Sequence, residues 1–235
     1  AVNARTRVMA VSQVSFYSGQ NLRIERLADG LKCGETLLAV DATHAAGAVE
    51  VRADLCDICV SSSYKWMLGT HGVAPFYLSE RAERQVASSS YGWRNLAVWP
   101  AQGAERFPDV DERPMPERLE PGNPGMVSVL FLSRALDVLL GLGMKRIEAH
   151  VLDLANEIAS GLEVRGLRVI SPKARDRRSG NTCFAVSDAR ALMHALAERQ
   201  VQVWGEYGRV RISGHIYNGT ADLERLWRAL DTLER

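Results

Sequence analysis

The sequence lacks an excess of charge of either sign: 29 Lys plus Arg stand against 28 Asp plus Glu, a formal net charge of +1. A chain that gains affinity by neutralising phosphates along a nucleic acid carries a basic surplus, so nucleic acid is not an expected partner. Long apolar runs are missing too. The longest, residues 127–132 and 135–142, are interrupted by Ser133 and Arg134, and they fall short of the roughly 20 residues that a membrane-spanning helix needs. No membrane association is expected. The first seven residues lead into no apolar stretch with a small-residue cleavage site, which leaves secretion unsupported and makes the cytoplasm the default compartment. There is no initiator methionine, and residues 7–14 (RVMAVSQV) already read as a buried strand. The chain is therefore expected to be a piece of something longer.

Cysteine is sparse and scattered. Cys33, Cys56, Cys59 and Cys183 do not sit at the turn-bounded positions of a disulfide framework. Cys56 and Cys59 form a C-x-x-C, but no second pair and no histidine follows at ligand spacing, so the pair is read as packing and no metal is expected. Internal repeats and low-complexity segments are absent as well. What remains is ordinary: 235 residues, 46% hydrophobic and 24% charged, enough to bury a sizeable core.

Residues 6–78 alternate short β-rich runs with helix-like ones, the signature of parallel strands joined by crossovers. Strands are expected at 7–14, 36–41, 57–61 and 72–78, with a helix at 22–31. Their apolar runs are continuous rather than alternating, which points to strands covered on both faces in a helix–sheet–helix α/β architecture. Between 79 and 123 the pattern dissolves into arginines, serines and prolines, read as long loops with one short helix. From Met126 apolar residues recur at helical spacing: Val127, Leu130, Phe131, Ala135, Val138 and Leu139. After the glycines at 141–143 come Ile147, Val151, Leu154, Ala155, Ile158 and Leu162, giving two successive helices. The tail reads as strands at 167–171, 182–186, 201–204 and 209–213 with helices at 188–199 and 221–233. Two domains are expected, 1–124 and a small α+β unit at 125–235.

Asp41 and Lys65 fall at or just beyond the carboxyl ends of two expected strands, the edge where open parallel sheets bind ligands. The short crossover from 41 to 57 makes those strands neighbours, so the acid and the amine share a crevice. An ion pair is the plain reading of such a pair. Its surroundings suggest more. Small residues follow Asp41 (Ala42-Thr43-His44-Ala45-Ala46-Gly47), and hydroxyls precede Lys65 (Ser61-Ser62-Ser63-Tyr64) before Gly69 and Gly72.

This combination resembles the class V aminotransferase family of fold-type-I pyridoxal-phosphate enzymes. Asp57, Ser62, Ser63, Lys65, Gly72 and Ala74 fall where the family's lysine motif places them, while Tyr64 departs from the His, Gln or Arg common before the lysine. Asp41-x-x-His44, the turn Tyr17-Ser18-Gly19-Gln20, Gly92-Trp93, Gly122-Asn123-Pro124 and the run from Arg211 to Asn218 resemble the kynureninase and isopenicillin-N-epimerase-like branches. The likeness spans essentially the whole chain.

The resemblance implies part of the type-I large domain, with a mostly parallel sheet, followed by a small α+β domain, and pyridoxal 5'-phosphate as cofactor. Lys65 would hold the cofactor as a Schiff base and later move protons at the substrate's α-carbon. Asp41 would keep the ring nitrogen protonated. His44, Ser62 and Tyr64 would bind the cofactor, and Arg211 would hold the α-carboxylate of an amino-acid substrate, with Arg209 on the same strand face as its competitor. Trp93 and Asn123 would reach the site of a neighbouring subunit in a homodimer. Transamination, epimerisation and Cα/Cβ cleavage stay open. Sulfur transfer is disfavoured, because no cysteine lies between Val201 and Arg211 and Cys183 is far earlier in the chain. The family's large domain also implies an upstream stretch that carries its phosphate-binding helix terminus and the ring stacked on the cofactor. A non-catalytic relative serving as a dimerisation or binding module is the alternative.

Overall fold

The computed structural model describes residues 2–31, 34–97 and 111–233. Two sheets organise them. In the first, β1 (Val8–Ser12), β2 (Leu37–Asp41), β3 (Ile58–Val60) and β4 (Phe76–Leu78) lie in that spatial order. The β1–β2 and β2–β3 pairs are parallel, with Ser12 beside Asp41 and Asp41 beside Val60. The expected α/β sheet is present and mostly parallel, although β4 runs antiparallel to β3. A short connection from 61 to 75 returns the chain directly, whereas a parallel partner needs a crossover.

Helix α1 (Ile24–Leu31) joins β1 to β2 and buries Ile24 and Leu31. The link from β2 to β3 holds tight turns and a single 3₁₀ turn at Ala53–Leu55. Behind the sheet, Val14, Leu38, Val40, Ala45, Val49, Cys56 and Cys59 form one core. The C-x-x-C is thus packing, as expected, with both thiols free and buried. Strand β1 corrects the reading of a buried strand: its residues alternate between exposed and half-buried, because it lies at the edge of the sheet. Burial on both faces belongs to β2.

After α2 (Glu80–Glu83), whose Ser79 Oγ caps the helix by accepting from the Ala82 N–H at 3.1 Å, come the loops. Residues 98–110 lie outside the described ones, and with them Trp99 and Phe107, as does Cys33. Helices α3 (Met126–Leu142) and α4 (Met144–Val164) then meet at a bend of 83°. Gly143, with φ +86°, forms the corner, a backbone angle that costs glycine little. No single described helix is long and apolar enough to cross a membrane.

The stripe expected on α4 is buried throughout. The stripe expected on α3 is not. Leu132, Ala135 and Leu139 face inward, while Val127, Leu130, Phe131 and Val138 are more than half exposed. A helix that is apolar all round offers no periodic signal of which face packs.

The second sheet has β5 (Asn181–Ala185) and β6 (Trp204–Glu206) flanking β7 (Arg209–Ser213), all antiparallel. The strand expected at 167–171 is reduced to one bridge between Val169 and Phe184, and that expected at 201–204 begins only at Trp204. Helices α5 (Ala189–Glu198) and α6 (Thr220–Leu233) cover this sheet with α4 around Phe184, Leu196 and Val210. Asp188 is the N-cap of α5, its Oδ1 accepting from the Ala191 N–H at 2.9 Å.

A stack of rings ties the two sheets together where it matters for the site. Trp66, one residue after Lys65, lies against His215, which lies against Tyr217, at centroid separations of 4.9 and 4.8 Å. The turn carrying Lys65 is thereby fastened to the segment that follows β7.

Candidate active site

Parallel pairing of β2 and β3 brings two turns to one sheet edge, and side chains lace them together. The exposed Asp41 closes β2, and its Oδ1 accepts from the Thr43 N–H at 2.8 Å. Thr43 Oγ1 accepts in turn from the Ser62 N–H at 3.0 Å and lies 3.3 Å from Ser62 Oγ. At Gly47 the first turn has φ +93°, and a Cβ there would strike the Trp66 carbonyl. Only a glycine lets the turn after Asp41 lie directly on the backbone that carries Lys65.

His44 is the hub. Its Nε2 lies 2.9 Å from Lys65 Nζ, and its Nδ1 lies 3.2 Å from Asn181 Nδ2 on β5. Asn181 Oδ1 accepts from Ser213 Oγ at 2.8 Å, and the Phe16 ring stacks over the imidazole. Burial pushes the His44 pKa down from 6.5 to about 4; Lys65 and Arg211 push the same way and Asp41 opposes them. The imidazole is neutral at pH 7. Asn181 donates to Nδ1, which leaves the proton on Nε2 pointing at the amine of Lys65.

Burial also lowers the Lys65 pKa, with Arg211 adding to the effect and Asp41 opposing it. Asp41, His44, Lys65 and Arg211 therefore share one electrostatic neighbourhood. A lysine whose charged form is disfavoured presents more free amine, the nucleophilic form.

Arg211 on β7 faces this group. Its Nη1 donates to the Phe16 carbonyl at 3.3 Å, and its guanidinium lies 5.2 Å from the Trp204 ring centre. Burial lowers its pKa as well. Opposite it in the β5–β7 register is Cys183, closer in space than sequence distance suggests. That thiol is fully buried, and burial pushes its pKa up to about 11, so it is held as the protonated, unreactive form.

The remaining expected residues stand further out. The Tyr64 ring is exposed and stacks on His71 at 3.9 Å; Lys65 Nζ is 5.8 Å from its centre. Trp93 and Asn123 are both exposed, and among the described residues no hydrogen bond or ring contact links either of them to the Lys65 group. Their loops adjoin each other, since a Cβ at Gly92 would strike the Pro121 carbonyl.

Sequence reasoning missed Asn181, Phe16 and Thr43. Asn181 lies 137 residues from His44, and a lone asparagine after a glycine carries no pattern. Thr43 stood inside the quoted motif, where its role as the link between the two turns was legible only in three dimensions.

Comparison with known proteins bears on the family and the fold. The family described as Aminotransferase class-V matches residues 1–226. A probable cysteine desulfurase of Pseudomonas putida is 28% identical over 98% of this chain and 59% of its own length. The isopenicillin N epimerase of Amycolatopsis lactamdurans is 28% identical over 100% of this chain and 62% of its own, and kynureninases are relatives too. The chain thus spans about three fifths of the length of these relatives. In structure, an apo cysteine desulfurase from Thermococcus onnurineus superposes with a TM-score of 0.88 at 22% identity, over 97% of this chain and 60% of that one; the type-I fold is shared. The chain belongs to the class V aminotransferase family.

Proposed function

We propose that this chain carries the lysine, acid and arginine of a pyridoxal-phosphate enzyme acting on an amino acid. Pyridoxal 5'-phosphate is the cofactor of the family, and the residues present fit it. A half-buried amine with a depressed pKa is available to an aldehyde, and an exposed carboxylate closes the neighbouring strand β2. Gly47 keeps the floor between the two turns free of side chain. The bound cofactor supplies an electron sink for the pair left when a bond at the substrate's α-carbon breaks. Lys65 Nζ would be the amine that holds the cofactor's aldehyde, and as a free amine it would move a proton at the substrate's α-carbon. Asp41 would favour a protonated ring nitrogen by supplying a negative charge. His44, fixed by Asn181, directs its Nε2 proton at the reacting end, and Ser62 and Tyr64 offer hydroxyls to the phosphate. Arg211 grips the substrate α-carboxylate with its planar fork.

Trp93 and Asn123 are assigned to the site of a second copy in a homodimer; their exposure leaves them free to meet one. The reading leaves transamination, epimerisation and Cα/Cβ cleavage open. It does not favour sulfur transfer, which needs a reactive thiol near the substrate arginine; the cysteine beside Arg211 is buried and protonated.

One observation carries the proposal: Lys65 Nζ lies 2.9 Å from His44 Nε2, so the turns that follow the paired strands β2 and β3, one of them headed by Asp41, meet in a single crevice. Titrating pyridoxal phosphate into the purified chain is expected to produce a visible absorption band that Lys65→Ala abolishes. A folded chain that gives no band supports the binding-module alternative instead.

A further inference from the structure

Arg209, two residues before Arg211 on β7, is 2% exposed, yet its Nε and Nη2 have no hydrogen-bond partner. An orphaned guanidinium at this depth is costly, since each buried unpaired donor carries its full desolvation penalty. Arg211 repeats the pattern in milder form, with an unpartnered Nε. Among the described residues neither arginine forms an ion pair. Glu206, which faces Arg209 in the β6–β7 register, is engaged by Arg190 at 2.5 Å. Two positive charges thus stand side by side on one strand without a counter-charge among the described residues.

We propose that Arg209 and Arg211 together select a dicarboxylic amino acid, Arg211 taking the α-carboxylate and Arg209 the side-chain acid. The inference rests on the function proposed above and adds the substrate class. Alternate residues of a strand point to one face about 7 Å apart, a span that the two acid groups of a substrate the size of aspartate or glutamate can bridge. Each guanidinium offers a fork matched to a carboxylate. Tyr17, Trp204 and Tyr207 surround the Arg209 guanidinium with rings, and this low-dielectric wall strengthens a charge-assisted bond once it forms. Tyr17 covers Arg209 from a turn, not from a strand, and is itself half exposed. An incoming carboxylate therefore displaces a loop side chain and leaves the core intact.

Isothermal titration of the full chain with glutarate and with pentanoate tests the pairing, since the two have equal length and differ by one acid group. The wild type is expected to bind glutarate about tenfold or more tightly than pentanoate, the worth of one charge-assisted interaction. Arg209→Met should bring that ratio near one, whereas Arg211→Met should weaken both acids. Arg209→Lys, which keeps the charge and loses the fork, serves if the methionine variant does not fold, and should retain an intermediate ratio. Equal affinities in the wild type, or a ratio unchanged by Arg209→Met, overturn the proposal. The visible band of Lys65 is read in parallel. A band with equal affinities overturns the acidic substrate and leaves the cofactor reading standing; a glutarate preference without a band supports the arginine pair and overturns the cofactor reading.

Discussion

His44 shows how a single side chain takes its character from its neighbours. Unburied, an imidazole is poised near neutral pH; here burial and two cationic neighbours drive its pKa to about 4, and Asn181 decides which nitrogen faces Lys65. Asn181 is a positioning residue, and Asn181→Ala should alter the pH profile of the cofactor band while leaving the chain folded. The sign of the Lys65 effect can be tested through its neighbours. Arg211 lowers the Lys65 pKa and Asp41 raises it, so Arg211→Met should move the pH dependence of Lys65 acylation to higher pH and Asp41→Asn to lower pH. Shifts in the same direction for both variants would contradict the shared field. In the sequence, strand ends and a lysine motif mark Asp41, Ser62 and Lys65 as candidates, whereas His44 and Arg211 are candidates only through the family resemblance. Asn181 was not legible, because its partnership exists only across two sheets.

At the scale of elements, the turn after β2 and the helix α4 do the positioning. Gly47 combines a positive φ with backbone contact against Trp66. Gly47→Ala should destabilise the chain by more than about 1 kcal/mol in chemical denaturation and weaken the cofactor band by displacing the Lys65 turn. Ile158 on α4 is 1% exposed within the core of the second sheet; Ile158→Ala should cost about 2–5 kcal/mol with the band retained after refolding to equal native protein. If both variants lost the band alike at matched folding, the turn would have no special role. Elements with one apolar face, such as α4 and α6, were readable from spacing. Strand β1, α3 and the bridge at Val169 were not: an edge strand carries the same residues as an inner one, an all-apolar helix has no phase, and pairing of a short extended segment is decided by its neighbour.

Across the whole molecule, balanced charge leaves stability to a few perturbed groups. His44 and His215 both have pKa values lowered by burial. The unfolded chain binds their protons near pH 6.5 while the folded chain refuses them, so their contribution to stability is complete above pH 6.5. It declines as the pH falls from 6.5 towards about 4, following the linkage between proton binding and folding. Urea midpoints measured over that range should fall steadily, and His44→Gln should flatten the decline; a midpoint that rises on acidification would refute the assignment. Dimer formation makes a separate demand. If Trp93 completes a second copy's site, mixing Lys65→Ala with Trp93→Ala chains should restore activity that each lacks alone, and failure to complement would place Trp93 elsewhere.

Which amine meets the cofactor decides where the chemistry sits. The chain offers Lys65 and also Lys32, Lys145 and Lys173. Reducing the mixture of chain and pyridoxal phosphate with borohydride and mapping the peptides should place the modification on Lys65, with Asp41→Asn lowering its yield. A label spread over the other lysines, or absent from Lys65, would contradict the assignment of this crevice as the active site.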